Sequence, residues 1–194
     1  MIGGASRYYV TTLPTIGDLG GRPSISLGQL REMVDDQSWG KAPVDAVLLL
    51  DDLTQRESFL SGESSEVAPS VLTAEQARNE APLPDALYTE ENKSDASLEA
   101  DHLWGQYFRH VVDVAGQAKC PFLARWAAFE VGLRNTLAVS RAQKLGLSDG
   151  DYRVAADLDQ SNENYVPILD EWAKAEDPLA GLNALIKARW RWVH

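Results

Sequence analysis

The stretch FEVGLRNTLAVSRAQKLG, residues 129–146, decides how the chain is read. Together with the PFLARWAA that precedes it, it forms one long amphipathic pattern. Phe122, Trp126, Phe129, Leu133 and Leu137 recur at intervals of four, three, four and four residues. At about 100° per residue these side chains fall on one stripe, so the segment is expected to be a helix. Pro121 is a favourable first-turn residue and Gly146 a favourable terminator, which fixes both ends. Three charges interrupt the pattern. Glu130, Arg134 and Arg141 project within about 40° of one another, beside the stripe rather than opposite it. Asn135 is expected on the solvent side. Glu130 and Arg134 stand four apart with the acid first, the better order for an intrahelical pair. Arg141 has no such acid, and Asp157 or Asp159 on another segment could serve it. The group is therefore expected at a core boundary or an interface, either as an internal ion-pair feature or as a partner site.

Helical signals extend outward in both directions. Asp177 followed by Pro178 marks a cap and first turn for a helix reaching the C-terminus, and another helix is expected over about 164–175. A segment near 152–158 separates these from the central helix. Upstream, Ser97 is placed to cap a helix through about Gln117, with Leu98, Leu103, Phe108, Val111 and Val112 on its apolar side. Ser26 and Gln29 have capping-box spacing for a short helix ending near Asp35. A longer helix is expected from about Pro43, carrying Val44, Val47, Leu48, Leu50 and Leu53 and extending to Phe59 and Leu60. RYYVTTLP, residues 7–14, is β-branched and aromatic and reads as a short extended piece. The expected fold is mainly α, a helical bundle-like body with a short extended N-terminal segment.

Residues 62–97 differ in character. They are acidic, rich in Ser, Pro and Ala, and lack a sustained apolar stripe, apart from a helical turn or two near Thr73 to Asn79. They read as an acidic linker or excursion with few core contacts. This divides the chain into 1–61, an extended segment plus helices; 62–97, the linker; and 98–194, a helical domain.

Composition narrows the function classes. The chain has 194 residues and a formal net charge of −11. Residues 1–100 carry 7 basic and 17 acidic side chains, a net of −10, and residues 101–194 carry 11 and 12, a net of −1. Such acidity disfavours nucleic acid and anionic lipid as partners. No apolar run approaches the roughly 20 residues of a membrane span, and the N-terminus has no signal-peptide pattern, so direct membrane insertion is not expected and the location is expected to be cytoplasmic. The single Cys120 excludes an intrachain disulfide and a Cys-rich zinc site. Cys120 is expected to be a packed or capping thiol.

Chemistry-bearing patterns are sparse. Glu99 and His102 form one Glu-x-x-His step, the spacing that puts two metal ligands on one helix face, but no second step accompanies it. Asp51 and Asp52 point about 100° apart on a helix and read as surface acids. KARWRWVH at the C-terminus mixes cations and aromatics. Trp190 extends a stripe with Leu182 and Ile186, leaving Trp192 unaccounted for. No catalytic residue, metal ligand set or cofactor is assigned.

Two sets of residues carry a resemblance. Tyr8, Tyr9, Leu13, Pro14, Pro23 and Ser26 give a paired-tyrosine strand, Leu-Pro, then a proline before a serine-capped helix. This resembles the N-terminal signature of an uncharacterised family that accompanies bacterial V-type (A/V-type) ATP synthase operons. Trp126, Glu130, Leu133, Arg134, Asn135 and Arg141 are similar to helices of the V-type ATPase component that joins the central shaft to the membrane rotor ring. The resemblance implies a non-enzymatic helical accessory or connector that contacts V-type ATP synthase subunits, at the rotor ring or the central shaft, and lies at the inner membrane only through that complex. The rival readings are a generic helical adaptor and a metal-dependent helical enzyme using Glu99, His102 and Glu130.

Overall fold

The structure is a computed structural model that describes residues 13–15, 17–35, 40–88, 100–147, 152–159 and 163–194. Its described residues form seven α-helices and no strand: α1 (Leu27–Asp35), α2 (Lys41–Leu60), α3 (Ala74–Ala77), α4 (Ala100–Gln117), α5 (Pro121–Leu145), α6 (Val166–Ala173) and α7 (Pro178–Val193). Two single 3₁₀ turns, Asp85–Leu87 and Ala156–Leu158, punctuate the connections. The mainly helical expectation holds. Most of the expected extended piece, including Tyr8 and Tyr9, lies outside the described residues, as do Ser97, Leu98 and Glu99. No described helix is long and apolar enough to cross a membrane.

Local chemistry sets the helix ends. The Ser26 hydroxyl accepts from the Gln29 N–H at 3.2 Å, and the Ser26 N–H donates back to the Gln29 amide oxygen at 2.8 Å. Two orphan donors at the start of α1 are thereby satisfied. Thr73 and Gln76 build the same reciprocal cap on α3. Asp177 accepts from the Ala180 N–H at 2.7 Å and opens α7, followed by Pro178 in the first turn. Gly146 ends α5 in the left-handed region at φ 68°, where a Cβ would be strained. Cys120 precedes Pro121 as the cap residue of α5 but forms no side-chain cap bond, and packs half-buried against the core instead.

The larger of two buried clusters joins α2 (Ala46, Leu49, Leu53), α4 (Leu103, Trp104, Tyr107, Phe108, Val111) and one side of α5 (Leu123, Ala127, Val131). Each fully buried large apolar side chain contributes about 1.5–3 kcal/mol. Tyr107 is fully buried and its hydroxyl donates to the Ala46 carbonyl at 3.0 Å, joining α4 to α2. Burial pushes its phenol pKa far up.

Residues 62–88 correct the sequence expectation. Leu72, Leu83 and Leu87 from this stretch are buried members of the same cluster, and Ala77 is buried as well. The expectation of few core contacts fails there because α2 grips the backbone of the segment. Asp52, read from sequence as a surface acid, is 0% exposed and accepts the N–H groups of Ser70, Val71 and Leu72, each at 2.7 Å. One turn on, Gln55 accepts from the Ala68 N–H at 2.8 Å. Arg56 donates to the Gln76 carbonyl at 3.1 Å and to the Asn79 side-chain oxygen at 2.7 Å, placing a cation at the C-terminal end of α3. Asp52, Gln55 and Arg56 share one face of α2, so a polar face holds the segment while its leucines enter the core. Residues 89–99 of the expected linker lie outside the described residues.

Candidate functional site on helix α5

Helix α5 is buried on two sides. Leu123, Ala127 and Val131 face the larger cluster, while Phe129, Leu133 and Leu137 join Tyr165 and Leu185 in a second one. The stripe read from sequence therefore divides: Phe129, Leu133 and Leu137 cover the second side, Trp126 packs half-buried against the larger cluster, and Phe122, its first member, remains 46% exposed. Burial on both sides is why a polar residue assigned to solvent is found inside. Asn135 is buried, donates to the Val154 carbonyl at 3.0 Å and accepts from the Val154 N–H at 2.8 Å. A single amide thus replaces a strand partner for the 152–158 connection. Gly132 is required on the same helix because a Cβ there would stand 2.7 Å from Asp159 Oδ1 and closer to the Tyr165 hydroxyl. That hydroxyl donates to the Phe129 carbonyl at 3.1 Å.

The three charges singled out from sequence separate into two kinds. Glu130 is 1% exposed, and both its oxygens are taken by Arg189 of α7, from Nε at 2.7 Å and from Nη2 at 2.9 Å. This bidentate fork ties α7 to α5 and satisfies a carboxylate that would be costly to bury alone. The expected Glu130–Arg134 pair is replaced by a partner 59 residues away, which helical spacing cannot reveal. Arg189 itself belongs to the C-terminal run of cations and aromatics, residues 187–194.

Arg134 instead sits over aromatic rings. Its guanidinium carbon is 4.0 Å from the Trp104 ring centroid and 5.6 Å from that of Phe108. The Trp104 indole N–H is in turn held by Glu57 at 2.5 Å. Arg134 Nε is buried with no hydrogen-bond partner. Burial lowers the Arg134 pKa; the nearby Glu130 opposes this and Arg189 adds to it. Arg141 is exposed, with its guanidinium 5.3 Å from the Trp172 centroid, and Lys144 Nζ is 5.0 Å from the same ring. One of the two acids suggested for Arg141, Asp157, forms a fork with Arg109 at 2.6 and 2.8 Å. Neither Arg134 nor Arg141 forms an ion pair among the described residues.

The C-terminal aromatics also find their places. Trp192, unexplained by sequence, stacks on Phe129 at 4.9 Å with an 18° interplanar angle, and its indole N–H donates to Glu163 at 3.2 Å. Leu182 and Ile186, expected in a buried stripe with Trp190, are 49% and 37% exposed. The buried face of α7 is instead Gly181, Ala184, Leu185 and Ala188, three of them small residues that let it pack closely. His102 is exposed, and among the described residues no group of three or more His, Cys, Asp or Glu side chains is placed to hold a metal ion. A cleft of about 780 Å³ between α1, α2 and residues 68–70 is open and lined by mixed polar groups, including Arg31, Glu32 and Asp51. Comparison with protein-family models, with characterised proteins and with solved structures finds no match to this chain.

Proposed function

We propose that the protein is a non-enzymatic helical connector that docks a partner on the arginine edge of α5, and that this partner is a V-type ATP synthase, at its rotor ring or central shaft. The observation that carries docking is the division within the charged group. Glu130 is saturated by Arg189, whereas Arg134 and Arg141 each rest on a tryptophan without a carboxylate. A guanidinium held against an indole face is oriented in advance, and its remaining N–H groups can fork a carboxylate. The two arginines stand seven residues apart, roughly 10 Å along the helix, a spacing that fits two acids on one partner helix. The identity of the partner rests on the resemblance carried by Trp126, Glu130, Leu133, Arg134, Asn135 and Arg141. On that reading the protein sits on the cytoplasmic side, peripheral to the inner membrane through the complex. A generic adaptor would use the same edge with a different partner.

Affinity capture with the full chain tests this. Wild type should retain rotor-ring or central-shaft subunits, and Arg134→Ala and Arg141→Ala should each lose them. Arg141 is exposed, so its loss of capture at unchanged thermal stability reports an interface and not unfolding; Arg134→Ala also removes the contact with Trp104 and is read beside its melting temperature. Failure of the wild type to retain any such subunit sinks the ATP synthase assignment. Unchanged capture by both variants sinks the arginine edge.

A further inference from the structure

Two arginines neighbour Glu130. Arg189 of α7 holds it through the fork, and Arg134 follows it by one turn of α5. Side chains four apart on a helix meet, and the acid-first order is the favourable one. Arg134 nevertheless turns away, with its guanidinium over Trp104 and its Nε buried without a hydrogen-bond partner. A buried donor left without an acceptor is uncommon and costly. The other acid whose charge acts on Arg134, Glu57, already accepts the Trp104 indole N–H. Arg189 accounts for the orientation: it occupies both oxygens of Glu130, and its charge repels Arg134.

Of the two, Arg189 is the one able to withdraw. Its side chain is 35% exposed, its helix has no residue in the larger cluster, and Leu185 is the one buried member that this helix gives to the smaller cluster. Arg134 shares α5 with Glu130 and stays beside it. We propose that Glu130 is a two-position ion pair, forked by Arg189 while α7 is seated and passed to Arg134 when Arg189 withdraws. Withdrawal frees both carboxylate oxygens, removes the charge that repels Arg134, and offers the orphaned Nε an acceptor. An interior carboxylate left without a cation costs more than a lost cation–π contact, so the exchange runs toward Arg134. Because Arg134 belongs to the docking edge, the exchange also withdraws it from a partner, a consequence that rests on the connector reading.

Arginine side-chain NMR on the full chain tests the exchange, with Arg189→Met as the perturbation. Methionine keeps the apolar stem that packs along α7 and removes only the cation. In the wild type the Arg189 Nε–H should show the downfield signal of a charge-assisted bond, and the Arg134 Nε–H should not. In Arg189→Met the Arg134 signal should move downfield, and adding Glu130→Gln should return it. Urea unfolding gives a second reading. The coupling between Glu130→Gln and Arg134→Ala should be at least about tenfold larger, in the unfolding constant, in the Arg189→Met background than in the wild type. An unmoved Arg134 signal, a shift that persists with Glu130→Gln, or equal coupling in the two backgrounds overturns the proposal. So does an Arg189→Met chain that fails to fold, because Glu130 would then have found no second cation. These measurements involve no partner, so their failure leaves the connector reading standing. Undiminished capture of the rotor subunits by Arg189→Met overturns only the withdrawal of Arg134 from the docking edge.

Discussion

Replacing Asp52 tests whether one buried carboxylate holds residues 68–72 in place. Its side chain receives three backbone N–H groups at 2.7 Å, from Ser70, Val71 and Leu72. Asp52→Ala strands all three. A buried donor left unsatisfied costs about 1–3 kcal/mol. Leu72 is buried and its N–H belongs near the top of that range, while Ser70 and Val71 are half-buried and water can reach them. The expected loss is about 4 kcal/mol, a large share of the roughly 5–15 kcal/mol that holds a domain folded. Asp52→Asn should cost less, about 2 kcal/mol. Its one oxygen can serve Val71 and Leu72, which share Oδ2 in the wild type, but its NH₂ then faces the Ser70 N–H. Asp51→Ala is the control. Asp51 only accepts from Gln55 on its own helix, so the change should stay within about 0.5 kcal/mol. Urea unfolding followed by circular dichroism measures all three, and limited proteolysis should open residues 62–88 in the alanine variant. A loss below about 1 kcal/mol for Asp52→Ala, or equal losses at Asp51 and Asp52, would refute the reasoning.

Further predictions concern α4, α5 and α7. Arg189→Ala leaves Glu130 buried without its fork and should cost about 2–3 kcal/mol, below the full penalty because the Arg189 side chain is 35% exposed. Arg191→Ala, at an exposed pair, should cost at most about 0.5 kcal/mol by the same denaturation assay. Gly132→Ala should lower stability by about 2–3 kcal/mol through overpacking against Asp159 and Tyr165. Adding Tyr165→Phe should recover only part of this, because the Tyr165 ring carbon itself stands 2.8 Å from the new methyl. Burial lowers the His110 pKa, with Asp113 opposing. The unfolded imidazole, near 6.5, then binds its proton before the folded one, so this residue should cost stability as pH falls from about 7 toward 5.5. His110→Gln should flatten the melting-temperature profile over that window, and an unchanged slope would count against a desolvated imidazole.

Helix positions are readable from sequence wherever a local device sets them. Ser26 with Gln29, Thr73 before Gln76, Pro121, Gly146, and Asp177 with Pro178 each act within four residues, and each marks an observed helix end. What sequence periodicity does not give is which polar residues are internal. Asp52 and Asn135 are buried because each serves backbone groups 18 to 20 residues away, where no peptide segment of its own offers a pattern. Periodicity sets Glu130 at a core boundary, whereas it is fully buried, and it points to the wrong partner, since i to i+4 spacing favours Arg134, a neighbour that geometry hands to the Trp104 face. A usable signal exists on α2. Asp52, Gln55 and Arg56 stand together beside the buried Leu49 and Leu53, where a purely solvated face would not be.

The attachment of α6 and α7 has a consequence for how the molecule opens. These helices pack on each other, with Gly181 3.2 Å from Trp172 if a Cβ is built there, and meet α5 through the small cluster of Phe129, Leu133, Leu137, Tyr165 and Leu185 and the Glu130–Arg189 fork. None of their residues enters the larger cluster around Tyr107 and Phe108. The hairpin can thus detach while α2, α4 and one side of α5 stay folded. Native-state hydrogen exchange should reveal it as a cooperative unit whose amides exchange together, at a lower opening free energy than those of α2 and α4. Arg189→Ala should then accelerate exchange throughout α6 and α7 and leave the slowest amides of α4 unmoved, giving the chain two tiers of stability set by one ion pair.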